Sequence, residues 1–409
     1  MVPLSSPAPP PSYRATVAVL SVGQIISWAA LYYTFSSFVL PMQRDLGWSQ
    51  PELMGAFTLG LAVWGATTYA VGAAIDQGWG RRVMTLGAVL AGIGFLLWSR
   101  VTSLPMLYGT WALLGAAMAM TLYEPAFNVL TKRFPDRYVR GITTLTLVGG
   151  FASTLSFPAA AWMLSQWGWR GAAVAIGVVL LCAVAPLHAW ALRGTPEVPA
   201  LKANSDAVAD ATLRQALREP SFWLLTASFT FYSFAAASLW AHLMPAFAAK
   251  GRTEVQALAV VVWFGPAQVL GRFLHLWLGQ SLPPRTLGLA VLGGLPVSLA
   301  IFALADHTAA LLLFALLFGF ANGLVTIVRG GLVPDYFGRA HVGRISGAMA
   351  GISLMARAAA PLTTAWLLIA LPGYRELLLV LSGVGVAALV AFALAERPLP
   401  VGRQRAASL

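Results

Sequence analysis

Charged side chains inside long apolar stretches are the first candidates for chemistry in this 409-residue sequence. They are Glu124, Arg272, Arg329 and Arg357, with His188, His242 and His275 in similar surroundings. A charge in an apolar medium is costly, so such side chains normally face the interior of a helix bundle, a partner or water. Three Arg against one Glu favour an anionic ligand, because a cationic one would be repelled at low dielectric.

Two of these cations have spacings that suit a carboxylate. Arg357 lies near the middle of its apolar stretch, and Arg272 follows Gln268 by one helical turn, so that both side chains share a helix face. Guanidinium groups bind carboxylates through planar pairs of hydrogen bonds. We therefore expect Arg357, Arg272 and Gln268 to contact substrate. The alternatives are a structural partner for Arg357 and extension of Arg272 to the membrane surface.

The remaining charged residues have polar neighbours on the same helix face. Arg329 shares a face with Asn322 and Thr326, and Glu124 precedes Asn128 by one turn. Burial and a nearby Arg shift a carboxyl pKa in opposite directions, which is how a proton site can be tuned. We expect Asn322 to contact substrate and assign Glu124 and Arg329 to coupling or to an ion pair. Snorkelling or helix pairing is the alternative for Arg329, and a permanent ion pair is the alternative for Glu124.

Aromatic side chains with polar tips are spaced to line a cavity. Gln24, Trp28 and Tyr32 recur every four residues, and Tyr232 and Trp240 lie in a later apolar stretch. Rings of this kind suit an organic molecule, although in membrane helices they also serve as packing or interfacial anchors. All five are candidate substrate contacts.

Composition identifies the elements that carry these residues as membrane helices. The chain is 58% hydrophobic and 10% charged, against about 25% charged in soluble domains. Hydropathy divides it into twelve spans of about the 20 residues that cross a bilayer. The basic residues form no patch with interleaved aromatics, which argues against nucleic acid. Cys182 is the only cysteine, so neither a disulfide framework nor a thiolate metal site is expected.

The spans fall into two similar halves. The expected divisions are a disordered N-terminal tail (1–14), a six-helix half (15–193), a cytoplasmic linker (194–219), a second six-helix half (220–396) and a C-terminal tail (397–409). Pro41 and Gly47 recur as Pro245 and Gly251, an offset of half the chain. Placing both termini inside puts 17 of the 26 Lys and Arg in cytoplasmic segments and six outside, as the positive-inside rule requires.

The short turn GAAIDQGWGRR joins the second and third spans and carries a family signature. It resembles the G-x3-D-[RK]-x-G-[RK]-[RK] loop of the major facilitator superfamily at Gly72, Asp76, Gly80, Arg81 and Arg82. A Gln replaces the usual base after Asp76, and the interval to Gly80 is one residue longer. The resemblance covers essentially the whole chain and implies an all-α membrane protein of twelve transmembrane helices in two pseudo-symmetric six-helix halves.

Several expectations follow from this resemblance. Asp76, Arg81, Arg82 and Arg344 resemble the superfamily's inner-gate network. The Gly-Trp-Arg ending at Arg170 and the cations of spans eight and eleven resemble the monocarboxylate and oxalate/formate branch, and the resemblance implies a bacterial protein. The implied protein is a monomeric secondary transporter of the cell (inner) membrane, with both termini cytoplasmic. It would move a small organic anion by alternating access, with H+ as a candidate coupling ion.

Other functions are weighed against this one. The alternative within the superfamily is a proton-coupled efflux pump. Exporter families carry an Arg in span four and a Gly-Pro in span five, and this sequence has neither. A membrane-embedded enzyme or sensor is a remote alternative, since the sequence has no Walker loop, nucleophile elbow or His-rich metal cluster. No cofactor is expected.

Overall fold

The computed structural model describes residues 10–194, 210–277 and 282–396, and every regular element in these ranges is helical. The predicted C-terminal tail and most of the predicted linker lie outside the described residues. The predicted N-terminal tail extends to residue 14, whereas the first helix begins at Tyr13. The hydroxyl of Ser12 accepts a 3.3 Å hydrogen bond from the Ala15 amide and so caps this helix.

The described residues form two compact units, the first within 1–60 and 71–201 and the second within 61–70 and 202–409. The helices numbered within the first half of the chain are α1 (Tyr13–Leu46), α2 (Gln50–Ala74), α3 (Gly80–Trp98), α4 (Leu104–Thr121), α5 (Tyr123–Arg133), α6 (Tyr138–Gly149), α7 (Ala152–Val179) and α8 (Ala185–Ala191). The middle of α2, residues 61–70, belongs to the second unit. Wider π turns occur at Ala29–Tyr33 within α1 and at Leu180–Val184, whereas Ile75–Trp79 joins α2 to α3 across a kink at Gly78.

The second half of the chain continues this pattern. Its helices are α9 (Leu213–Ala216), α10 (Pro220–Ala249), α11 (Glu254–Val261), α12 (Phe264–Trp277), α13 (Pro284–Leu304), α14 (Thr308–Phe337), α15 (Val342–Ala370) and α16 (Tyr374–Leu394). Aromatic packing forms part of its core, with Phe302 and Phe314 stacked at 4.4 Å between ring centroids.

Ten helical segments among the described residues are long and apolar enough to cross a membrane. The two longest, with 48 and 37 residues, are about twice the roughly 20 that one crossing needs. Each contains a glycine at which the backbone leaves the helix, Gly78 (φ 97°) and Gly168 (φ 62°). Glycine adopts this left-handed conformation because it has no Cβ. Counting both sides of each glycine separately gives the twelve crossings that hydropathy predicts.

The repeat inferred from the sequence is visible in backbone geometry. The first and seventh spans end at Gly47 (φ 71°) and Gly251 (φ 70°). Two residues later, Ser49 and Thr253 each begin the next helix with a reciprocal capping box, which satisfies two otherwise free backbone donors. The same turn, with the same chemistry, therefore closes the first hairpin of each half.

Outside these caps, large apolar side chains cover the helix surfaces. Trp162 is 57% exposed, Trp366 67% and Ile369 84%. A helix that is apolar on all sides belongs in a membrane or in a large core, so this exposed apolar surface is consistent with helices that cross a membrane.

Candidate functional site

The fourth span is broken at Leu122, where the backbone adopts φ −75° and ψ −155° between α4 and α5. Pro125 has no amide hydrogen, so the Thr121 carbonyl loses the donor that a continuous helix would provide. The side-chain amide of Gln24, fully buried in α1, replaces that donor at 2.6 Å from Thr121 O and 3.3 Å from Leu122 O. Gln24 therefore supports the break, a contact that its spacing in the sequence did not indicate.

The break places Glu124 in the first turn of α5, where it is 8% exposed. Backbone amides at a helix N-terminus favour a negative charge. Asn128, one turn later, is 5% exposed. The polar pair predicted from the sequence is thus buried on one helix, within the first unit.

The aromatic residues of the first span gather beside this break. Trp28 contacts Tyr32, Tyr33 and Tyr123, with ring centroids 5.4, 6.4 and 4.9 Å apart. A π turn at Ala29–Tyr33 sets the position of these rings. Such turns are frequent at functional sites.

A cavity of about 480 Å³ adjoins the aromatic residues on one side. Its lining is Tyr32, Tyr33, Phe35, Ser36, Val39, Leu40, Gln43, Met54 and Phe57, so it lies wholly within the first unit. Pockets of a few hundred Å³ with mostly apolar walls and a few polar groups suit small organic ligands.

In the second unit, Arg272 is held against a helix backbone. It is 5% exposed, and its Nε donates a 2.9 Å hydrogen bond to the Gly323 carbonyl of α14. A Cβ added to Gly323 would lie 2.7 Å from Gln268 O and 2.8 Å from Gln268 Cα, which shows how closely α12 and α14 approach. This burial does not fit an arginine extended to the membrane surface.

The other predicted residues of this unit differ in how deeply they are buried. Arg357, Arg329 and Asn322 are half-buried. One turn before Arg357 on α15, the Ser353 hydroxyl lies 3.1 Å from the hydroxyl of Thr230 on α10. Two aromatic candidates complete this set: Tyr232 is buried, whereas Trp240 is 44% exposed and meets Phe264 edge-on at 5.2 Å.

The glycine-rich turn forms an ion pair that the sequence analysis missed. Asp76 lies 3.1 Å from Lys132 Nζ at the end of α5, and Lys132 also donates to the Asp76 carbonyl at 3.0 Å. The Asp76 side chain is 2% exposed. Arg81 and Arg82 are exposed, and Arg344 is half-buried. The feature of the sequence that could have predicted this pair is Lys132, a basic residue at the end of the neighbouring fourth span.

The long helices, the paired halves and the buried polar residues together define a multi-pass membrane transporter. The chain belongs to the Major Facilitator Superfamily, whose family model matches residues 20–295. It is therefore a secondary transporter rather than an enzyme.

Curated relatives include carriers of organic acids. The chain is 28% identical over 279 residues to monocarboxylate transporter 13 of Rattus norvegicus, covering 66% of this chain and 63% of that protein. It is 27% identical over 353 residues to the Bos taurus protein of the same name, covering 81% and 79%. The oxalate:formate antiporter of Oxalobacter formigenes is 26% identical over 229 residues, covering 56% and 54%. The match to the rat protein spans less than two thirds of its length.

Two solved structures have the same fold as this chain. The human organic anion transporter MFSD10 (TETRAN) superposes with a TM-score of 0.70 at 16% identity, covering 93% of this chain and 100% of that chain. The Escherichia coli fucose:proton symporter FucP gives a TM-score of 0.74 at 14% identity, with 95% and 100% covered. At these identities the superpositions establish the all-helical superfamily fold.

Proposed function

We propose that this transporter moves a small organic anion, a carboxylate, by alternating access. The observation that carries the proposal is Arg272, a cation 5% exposed within a membrane-spanning helix, whose Nε donates a hydrogen bond to the Gly323 carbonyl. Such anchoring fixes the plane of the guanidinium, and a planar guanidinium can offer paired donors to a carboxylate.

Arg357 is the proposed second ligand for the anion. It lies on α15 of the same unit and is half-buried near the middle of its span. Gln268, Asn322, Tyr232 and Trp240 of this unit, with Gln24, Trp28 and Tyr32 of the first, remain proposed substrate contacts. The names of the relatives support this substrate class, since they are monocarboxylate transporters and an oxalate:formate antiporter.

The loop residues have a separate proposed role in gating. The buried Asp76–Lys132 pair joins the turn after α2 to the end of α5, so it fixes that turn in one arrangement. Arg81, Arg82 and Arg344 are proposed to act in the same gate. Glu124 and Arg329 remain proposed coupling or ion-pair residues. The protein is proposed to lie in the cell membrane with both termini cytoplasmic.

The substrate is tested by carboxylate binding to purified protein. Lactate, formate and oxalate should raise the thermal transition of the wild type through mass action. Arg357→Gln should weaken binding by about 30-fold or more, since loss of one buried ligand pair is typically about 2–5 kcal/mol. Arg357→Lys should restore part of it, because ammonium lacks the planar fork.

The matched control is Arg285→Gln. Arg285 belongs to the same unit but is exposed and donates to Ala393 O at 2.7 Å, so its removal should leave affinity unchanged. Wild-type protein that binds none of the three acids would contradict the carboxylate assignment. Folded Arg357→Gln protein with affinity within about threefold of the parent, or about 0.6 kcal/mol, would make this arginine structural.

A further inference from the structure

His275 is a buried histidine whose ring makes no hydrogen bond within the described chain. It lies on α12, one turn beyond Arg272, and is 7% exposed. Neither Nδ1 nor Nε2 has a hydrogen-bond partner among the described residues. The other two histidines of the spans differ, because His188 Nδ1 lies 3.1 Å from Met84 O and His242 Nε2 lies 3.4 Å from Pro361 O.

The lack of hydrogen-bond partners on the buried His275 ring needs a physical explanation. A neutral imidazole has one donor and one acceptor nitrogen, and leaving buried polar atoms unpaired costs free energy. Buried polar groups without partners are few in native proteins, and each calls for an explanation such as a functional role, a water or a bound ion. A partner that arrives during the transport cycle would account for both nitrogens.

Two arginines lie on the helix that carries His275 and on the helix packed against it. On its own helix, Arg272 lies one turn away on the same face. α14 packs along α12 in parallel, with Gly319 against Ala267 and Gly323 against Gln268. Continuing that register places His275 level with the stretch 326–329, which ends in Arg329.

The other titratable groups of α14 lie further along that helix. They are Asp335 and Tyr336, and the Tyr336 hydroxyl donates to Ala395 O at 2.9 Å. The charged residues of α12 and α14 nearest to His275 along those helices are therefore Arg272 and Arg329, and an anion bound beside them would favour a protonated ring.

We propose that His275 is the proton-binding group of the transporter, which takes up a proton when a carboxylate occupies Arg272. This inference rests on the proposed function. The bound carboxylate offsets the charge of Arg272 and can accept a hydrogen bond from the ring, so it lowers the free-energy cost of protonating His275. The proton comes from water and attaches to a ring nitrogen, with no covalent change in the substrate.

The consequence is coupled movement of one anion and one proton. By linkage, a proton that binds with the anion must in turn strengthen anion binding by the same factor. Anion affinity should then rise as pH falls, by up to about tenfold per pH unit for one coupled proton.

The experiment measures oxalate and lactate binding by calorimetry in detergent, at about pH 6 and about pH 8, where both acids are fully ionised. Wild-type affinity for at least one acid should be about tenfold or more tighter at the lower pH, and His275→Gln should bind equally at both. Titration in buffers of different ionisation enthalpy counts the protons, which should be taken up by wild type and not by the variant. His275→Asn is the second variant, used where the Gln protein does not elute as a single species.

His242→Gln is the matched control, because it removes a histidine of the same unit that already has a partner. It should keep the pH dependence and the proton uptake of wild type. If His275→Gln or His275→Asn keeps them as well, or if wild type binds with no pH dependence, the proton site is overturned while the carboxylate proposal stands. If wild type binds neither acid, the proposed function fails and the inference falls with it.

Discussion

Arg272 shows how a single charged residue is accommodated inside a span. Its hydrogen bond ends on Gly323, a residue without a side chain, so the guanidinium can reach the α14 backbone. The hydropathy pattern predicted that Arg272 lies in a span but could not predict this contact, because the close approach of α12 and α14 depends on three-dimensional packing.

Gly323→Ala should therefore separate α12 from α14. The added methyl would lie 2.7 Å from Gln268 O, and overpacking of this kind typically costs about 1–3 kcal/mol. We expect a lower thermal transition and weaker carboxylate binding. Gly331→Ala on the same helix is the control, since no atom of the described residues lies within 4 Å of its added Cβ. Equal behaviour of the two variants would show that the close approach is unimportant.

Asp306 gives a pH-dependent contribution outside the spans. Its carboxylate lies 3.0 Å from Lys250 Nζ, and this hydrogen bond and charge, with Arg252 and Arg375 nearby, hold the pKa of Asp306 below its usual range. A lowered pKa in the folded state stabilises the protein above the unfolded-state value, and the contribution is lost as pH falls through the folded-state value.

The thermal transition of wild type should thus fall more steeply than that of Asp306→Asn as pH is lowered below about 4. The effect should be small, because Asp306 is 82% exposed and solvent screens the pair. Parallel pH profiles for the two proteins would show that the pair contributes nothing to stability.

At the scale of elements, the break between α4 and α5 has a cause in the sequence. Pro125 releases the Thr121 carbonyl, and a released carbonyl in a membrane needs another donor. The proline predicts the need for a donor but does not identify Gln24, which is 97 residues from Thr121 along the chain. Side-chain contacts between residues this far apart in the sequence cannot be predicted from the positions of the spans alone.

Gln24→Leu should destabilise the fold through this break. The substitution leaves the Thr121 and Leu122 carbonyls without their side-chain donor, at a cost of about 1–3 kcal/mol for a buried unsatisfied group. Thermal unfolding in detergent measures it. The exposed Gln166→Leu serves as control. A transition within error of wild type would mean that water or another residue replaces the amide.

The turn after α2 lies where its glycines and charges predict it, and Gly78 within it has φ 97°. Its proposed gating role depends on the buried pair with Lys132. We expect Asp76→Asn to slow liposome transport more than it weakens carboxylate binding, because the pair lies on the turn rather than among the proposed ligands.

The swap Asp76→Lys with Lys132→Asp tests the pair directly. It should recover part of the lost rate, with a coupling of about 0.5–3 kcal/mol between contacting residues. Equal losses of rate and affinity in folded Asp76→Asn protein would count against gating.

At the scale of the whole molecule, hydropathy and the half-chain repeat were sufficient for the superfamily fold, because apolar length and turn glycines are local properties of the sequence. The side of the membrane that each loop occupies is inferred from the distribution of Lys and Arg along the chain. Orientation therefore stays a prediction of the positive-inside rule.

Cysteine labelling tests this orientation. After replacing Cys182 by Ser, single cysteines at the exposed positions Arg44 and Arg218 are challenged with an impermeant maleimide on intact cells. The residue-44 cysteine should react and the residue-218 cysteine should react only after lysis. The opposite pattern would invert the assigned topology.

The π turn at Ala29–Tyr33 also bears on how the first span can change length. A π turn contains one residue more than an α turn, so the stretch holds a residue that the surrounding α-helical repeat does not need. Loss of one residue there would return the span to an unbroken α-helix with both ends in phase, whereas loss elsewhere would rotate one end by about 100° relative to the other. We therefore expect the first span to tolerate a single-residue deletion at the aromatic cluster. Such a deletion should change the direction of the Trp28 and Tyr32 side chains while leaving Gln24 and the Gly47 turn in register.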